Sequence, residues 1–168
     1  MQRRTLLKLG IGASVILVAA GGGMALLHPA LSNGHLSDGA RAVMHAVARA
    51  VLEGALPTAE AKRDKAIEAH LQRLEAAIGA FPPAIQAELS QLLTLLATAP
   101  GRLALAGLTS DWPYASVGQV QASLQGMRLS SLALKQQAYH ALRDLTNAAY
   151  FSDPSAWQAL GYPGPSDI

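Results

Sequence analysis

The sequence predicts an all-α fold, a small bundle of about five helices. Apolar residues recur at three- and four-residue spacing along most of the chain, the period of a helix with one buried face. Alternation with a period of two is almost absent and β-branched residues are scarce, which disfavours strands. The periodic stretches are also punctuated as helices are, with Ser or Pro at their starts and Gly or Pro at their stops. With 168 residues, the chain divides into an N-terminal signal or anchor helix, residues 1–32, and a single helical domain, residues 33–168. That domain ends in a tail rich in aromatic residues and proline.

The first element is built for a membrane. Arg3-Arg4, a variable residue, Leu6-Leu7 and Lys8 precede an apolar stretch over residues 9–27, and no further charge appears before Asp38. This layout resembles a twin-arginine export signal. Gln2 stands where that pattern prefers Ser or Thr, and Leu6 where it prefers Phe. Gly10, Gly12 and Gly21-Gly22-Gly23 dilute the apolar stretch, which suits the twin-arginine route better than the general secretory one. The route carries folded proteins. The resemblance therefore implies that Arg3 and Arg4 engage the twin-arginine translocase. It also implies that the rest of the chain works in the periplasm or at the periplasmic face of the bacterial inner membrane.

Two fates of the segment stay open. Ala30-Leu31-Ser32 places small residues for a peptidase cut after Ser32. Residues 9–27 also approach the lower limit of a membrane span, roughly 17–25 residues. Their positive flank would then obey the positive-inside rule, and the chain would stay tethered.

The helices follow in order. Ser37 is placed as an N-cap, with Asp38 in the first turn, where a negative charge suits the helix dipole. Ala40, Val43, Val47 and Val51 mark the first stripe, and Gly54 offers a stop. Pro57-Thr58 opens a second helix, with Ile67, Leu71, Leu74, Ile78 and Phe81 inward and Lys62, Arg63, Asp64, Glu68 and Arg73 outward. Pro82-Pro83 ends it. Pro83 also suits the first position of a third helix, where the N–H it lacks has no helical partner. Ile85, Leu89, Leu92, Leu93 and Leu96 line that helix as far as Ala99-Pro100-Gly101.

A short apolar piece over residues 103–108 and a loop over 109–113 come next. Ser116 caps a fourth helix with Val117, Val120 and Leu124 on one face, and Gly126 and Ser130-Ser131 predict a break. The last long helix runs to about Tyr150, with Leu134, Ala138, Ala141, Leu142, Leu145 and Ala148 inward.

Composition excludes several functions. The chain carries 13 basic and 11 acidic residues. Arg3, Arg4 and Lys8 belong to the N-terminal segment, so the remainder has ten bases against eleven acids, a net charge of −1. Without a basic cluster there is no electrostatic footprint for nucleic acid. Lys62, Arg63 and Lys65 are interrupted by Asp64 and flanked by Glu60 and Glu68, the pattern of a solvated helix face. There is no cysteine, which excludes disulfides, covalent c-type haem, thiolate zinc and Cys-ligated iron–sulfur clusters.

No catalytic constellation emerges. His28, His35, His45, His70 and His140 do not pair at metal-ligand spacing on one helix. His140 and Asp144, four residues apart, suit an ordinary structural contact better than a catalytic dyad. Serines sit mainly where helices start, and the only glycine run lies in the N-terminal segment rather than after a strand. The chain is therefore expected to bind no cofactor or metal of its own.

The unusual region is the C-terminal one. Tyr150, Phe151, Trp157 and Tyr162 cluster among Pro154, Pro163, Gly164 and Pro165. One reading is a tail whose aromatics plug the helical body. The other is an aromatic surface for a partner, since Trp and Tyr are enriched in binding hot spots. Trp112 is an outlying candidate for the same surface.

Here a second resemblance enters. Tyr150-Phe151-Ser152-Asp153-Pro154, then Trp157, then Leu160-Gly161-Tyr162-Pro163-Gly164-Pro165 resembles the end of the gluconate 2-dehydrogenase subunit 3 family. Residues 40–56 are similar in style, while the middle matches only in helical character. Where that family commonly carries a Gly-Gly-Asn element between the Asp-Pro and the Trp, this chain has only Ser155-Ala156, which implies a divergent branch.

The resemblance implies a non-catalytic small subunit of a flavin-dependent dehydrogenase of the glucose-methanol-choline class. The large subunit would bind FAD and oxidise an alcohol, sugar or sugar acid. The small one would lend its export signal and help its partner fold. Tyr150, Phe151, Trp157, Tyr162, Pro163 and Gly164, with Trp112, are the expected partner contacts. A stand-alone periplasmic or membrane-tethered helical protein, binding or structural, is the alternative.

Overall fold

The computed structural model describes residues 29–32, 34–157 and 161–162. The export-signal residues Arg3, Arg4, Leu6, Leu7 and Lys8 lie outside them, as do Pro163 and Gly164. The described chain is mostly helical, in agreement with the all-α expectation. In order come β1 (Leu31–Ser32), β2 (His35–Leu36), α1 (Asp38–Val51), α2 (Glu60–Gly79), α3 (Pro83–Ala97) and the single turn α4 (Ala99–Gly101). The turn α4 runs into a π-helical segment (Arg102–Ala106), followed by a 3-10 turn (Trp112–Tyr114), α5 (Val117–Arg128), α6 (Ala133–Phe151) and a last 3-10 turn (Pro154–Ala156).

Helix α1 is the hub, packing against α2, α3, α5, α6 and the Trp112 turn. Ala40, Val43, Met44, Ala46, Val47, Ala48 and Ala50 are all buried, so more than one face is covered. The alanines let neighbouring backbones come close, while Val43, Met44 and Val47 each contribute on the order of 1.5–3 kcal/mol of burial. Ser37 caps the helix as its sequence position predicts, accepting from the Ala40 N–H at 3.3 Å. Helix α2 begins at Glu60 rather than at Pro57-Thr58, and Ala59 precedes it with no side-chain cap. Its stripe of Ile67, Leu71, Leu74 and Ile78 is buried as expected.

The chain turns sharply after α3, meeting residues 99–106 at 91°. The Thr98 hydroxyl donates to the Leu95 carbonyl at 2.8 Å and accepts from the Gly101 N–H at 3.2 Å. A Cβ on Gly101 would lie 2.0 Å from the Leu95 oxygen, so only glycine fits. Arg102 is buried inside the turn, donating to Leu108 O at 3.2 Å and pairing with Asp111. The apolar piece read from the sequence is thus helical over Leu103–Ala106.

Helix α5 opens with a capping box, Ser116 and Gln119 each bonding the other's backbone N–H. Gly126 stays inside α5, and the break falls just beyond it, between Arg128 and Ala133. On α6, Ala148, read from the sequence as inward, is exposed, and its neighbour Ala149 is buried. The inward row is Ala138, Leu142, Thr146, Ala149 and Tyr150. Thr146 hides this row from a hydropathy scan; its hydroxyl is satisfied by the Leu142 carbonyl at 2.8 Å.

One pair of short strands departs from the expectation of none. Leu31 pairs with Leu36 and Ser32 with His35, and Gly34 adopts φ +82° in the turn between them, a conformation that favours glycine. The packed domain therefore starts before residue 33, taking in Ala30, Leu31 and Ser32. No single helix among the described residues is long and apolar enough to cross a membrane.

Candidate partner surface

The aromatic segment hangs from the end of α6. Consecutive helical residues point about 100° apart, so Tyr150 and Phe151 part company. Tyr150 is 7% exposed. Its hydroxyl donates to the Ala55 carbonyl at 2.9 Å, just past α1. Its ring meets both Phe151, at 5.2 Å, and His70, at 6.1 Å, edge-on. Phe151 is half-buried.

Arg73 of α2 fastens the end of α6 and the turn beyond it. Its Nε donates to the Ala149 carbonyl at 3.1 Å, and its Nη1 meets Asp153 Oδ2 at 3.0 Å. A guanidinium here satisfies an end-of-helix carbonyl and complements the negative pole of α6. Asp153 in turn accepts from the Ser155 N–H at 2.9 Å, starting the last 3-10 turn. Hydrogen bonding from Ser155, and then the Arg73 charge, hold its carboxyl below the ordinary range. Trp157 Nε1 donates to the Phe151 carbonyl at 2.7 Å, and the Tyr162 N–H to the Trp157 carbonyl at 3.1 Å. The two rings pack edge-on, 5.5 Å apart. Trp157 is half-buried and Tyr162 is 48% exposed.

The predicted partner residues therefore divide. Trp112 is 3% exposed, with its Nε1 bonded to the Leu96 carbonyl at 2.7 Å. Trp112 and Tyr150 are core side chains whose polar atoms are already used inside the fold, which corrects their reading as surface contacts. Phe151 and Trp157 offer edges, and Tyr162 offers about half of its surface. Pro163 and Gly164 lie outside the described residues.

Other apolar side chains stand exposed. These are Tyr114 at 84%, Leu129 at 69%, Leu132 at 59% and Leu103 at 50%. Leu129 and Leu132 flank Ser130-Ser131 between α5 and α6. Their position at a helix break, outside any stripe, was the available signal.

The histidines also divide. His70 is fully buried, and neither ring nitrogen has a hydrogen-bond partner. Burial, and secondarily the nearby Arg73 charge, lower its pKa from 6.5 to about 4, so the ring is neutral at physiological pH. His35 Nδ1 lies 3.2 Å from Glu75. Asp144 pairs with Arg143 at 3.1 Å, while the His140 ring packs against Tyr139. His45 lines a shallow groove between α1 and α2 with Asp64, Lys65 and Glu68, and burial followed by the Arg49 charge lowers its pKa. Among the described residues, no group of three His, Asp or Glu side chains converges as metal ligands would.

The class defined at this point is an all-α domain with an aromatic C-terminal segment. No family model matches the chain, and neither a curated protein nor a solved structure does.

Proposed function

We propose that this chain is a non-catalytic accessory subunit that binds, helps fold and escorts a large FAD-dependent alcohol or sugar dehydrogenase through twin-arginine export. The observation that carries this reading is the C-terminal segment, where Trp157 is bonded to the end of α6 and Tyr162 packs on Trp157 while keeping about half of its surface free. A large aromatic side chain already packed on a neighbouring ring loses less conformational freedom on binding than a free one, which suits a hot spot. The resemblance of Tyr150 to Pro165 to the subunit 3 family supplies the partner class, and the Arg3-Arg4 pair supplies the route. FAD belongs to the partner in this scheme. The complex resides in the periplasm or at the periplasmic face of the inner membrane.

Affinity capture of the tagged full chain from its native membrane fraction tests the reading. A co-purifying protein with a flavin absorption spectrum and a dehydrogenase's substrate-dependent bleaching is expected. Tyr162→Ala should weaken that capture about tenfold or more, since a hot-spot truncation costs more than roughly 1.4 kcal/mol. Recovery of the chain alone, with no flavin in the eluate, would overturn it.

A further inference from the structure

The bond after Ser32 follows the small-residue pattern of a signal-peptidase site. The fold gives the same residues another task. Ala30 is 1% exposed. Its N–H donates to Thr94 Oγ1 at 2.9 Å, a buried contact on α3. Its carbonyl accepts from the Ser37 N–H at 2.8 Å, closing the hairpin onto the cap of α1. The Leu31 N–H donates to Ser90 Oγ at 3.1 Å, one turn earlier on α3.

The returning strand is tied as well. The Leu36 N–H donates to Glu75 Oε1 at 3.2 Å, and Glu75 pairs with Arg41 Nη1 at 3.1 Å. The hairpin is thus sewn to α1, α2 and α3 at once. Thr94 is itself buried, and removing Ala30 would leave its hydroxyl oxygen without the donor it now accepts from.

We infer that Ala30-Leu31-Ser32 is a permanent strap of the folded domain and that the bond after Ser32 is not a processing site. This rests on the proposed export route, because the twin-arginine system presents its passenger already folded. A signal peptidase reads an extended segment through small side chains three residues and one residue before the cut. In this fold the first of these is Ala30, shut inside the core, and exposing it requires undocking the whole hairpin. Any cut falls before Ala30, and the strap leaves the cytoplasm as part of the body.

The test is the mature N-terminus of the full chain, expressed in a twin-arginine-competent bacterium with a C-terminal tag and read by intact-mass and N-terminal peptide analysis. Retention of Ala30, Leu31 and Ser32 is expected; a mature chain starting at Asn33 overturns the inference while leaving export intact. Should the chain stay in the cytoplasm, the export reading fails instead. The strap is then judged by amide hydrogen exchange on the purified full chain. The Ala30 and Leu31 amides should exchange on the order of 10³-fold or more slower than in a free peptide, the range of groups that open only with the domain. Exchange at the free-peptide rate overturns the strap.

Discussion

The two ends of the described domain are fastened by different chemistry. At the N-terminal end, main-chain N–H groups of Ala30 and Leu31 reach hydroxyls on α3, and an alanine side chain is fully enclosed. At the C-terminal end, one guanidinium, Arg73, spans α6 and the turn beyond it through contacts that are only partly shielded from water. A buried donor that loses its acceptor costs its full desolvation, whereas a surface ion pair is worth little. The first end is therefore locked, and the second is adjustable.

Acid offers the largest way to break this comparison, and it acts on the C-terminal side. His70 lies beneath Tyr150, and its folded pKa of about 4 is depressed below the ordinary 6.5. Between those values the unfolded chain binds a proton that the folded one refuses. The stability His70 leaves intact above pH 6.5 is therefore lost progressively as pH falls toward 4. At ~1.4 kcal/mol per pH unit, that interval amounts to about 3 kcal/mol. Urea unfolding at pH 7, 5.5 and 4.5 should report the loss. His70→Leu should flatten this part of the profile, and should cost little at neutral pH because neither ring nitrogen has a partner to lose. An unchanged slope in His70→Leu would assign the acid sensitivity to other groups.

Thr94→Val strikes the locked end. It keeps the shape but removes the acceptor of the Ala30 N–H, and should cost about 1–3 kcal/mol in chemical denaturation. A loss below the scatter of surface variants, roughly 0.5 kcal/mol, would put the strap on the same footing as the other end. Asp153→Asn strikes the adjustable end by removing one side of the Arg73 pair. Less than about 1 kcal/mol is expected, with increased mobility of the Trp157 indole read by fluorescence anisotropy. A larger cost than Thr94→Val would reverse the comparison.

The helices were largely legible because their signals are local. Ser37 and Ser116 mark starts through hydroxyls that cap an N–H three residues on, and Pro83 marks one through the N–H it lacks. The stripe of α2 follows from spacing alone. The hairpin was not legible, since it exists only because Thr94, Ser90 and Glu75 supply partners some 40 to 64 positions away in sequence. The inward row of α6 was obscured by Thr146, polar in composition but satisfied within its own helix.

At the candidate surface, the aromatic cluster itself was readable. The division between core and surface was not, because it depends on which carbonyl each polar tip reaches. Tyr150 finds Ala55 and Trp112 finds Leu96, so both turn inward. Tyr162, near the end of the segment, stays about half exposed. His70 did give a signal: it stands three residues after Ile67 and four before Leu74, on the buried stripe of α2.

The central claim is that this chain lends its export signal to a larger flavoprotein, and one measurement addresses it directly. In cells expressing both chains, Arg3→Lys with Arg4→Lys keeps the positive charge but removes the twin-arginine pair. The distribution of the flavoprotein between cytoplasm and periplasmic fractions is then compared with that in cells carrying the unaltered signal. The escort account predicts that the flavoprotein is stranded in the cytoplasm together with this chain. Normal export of the flavoprotein alongside the altered signal would contradict it.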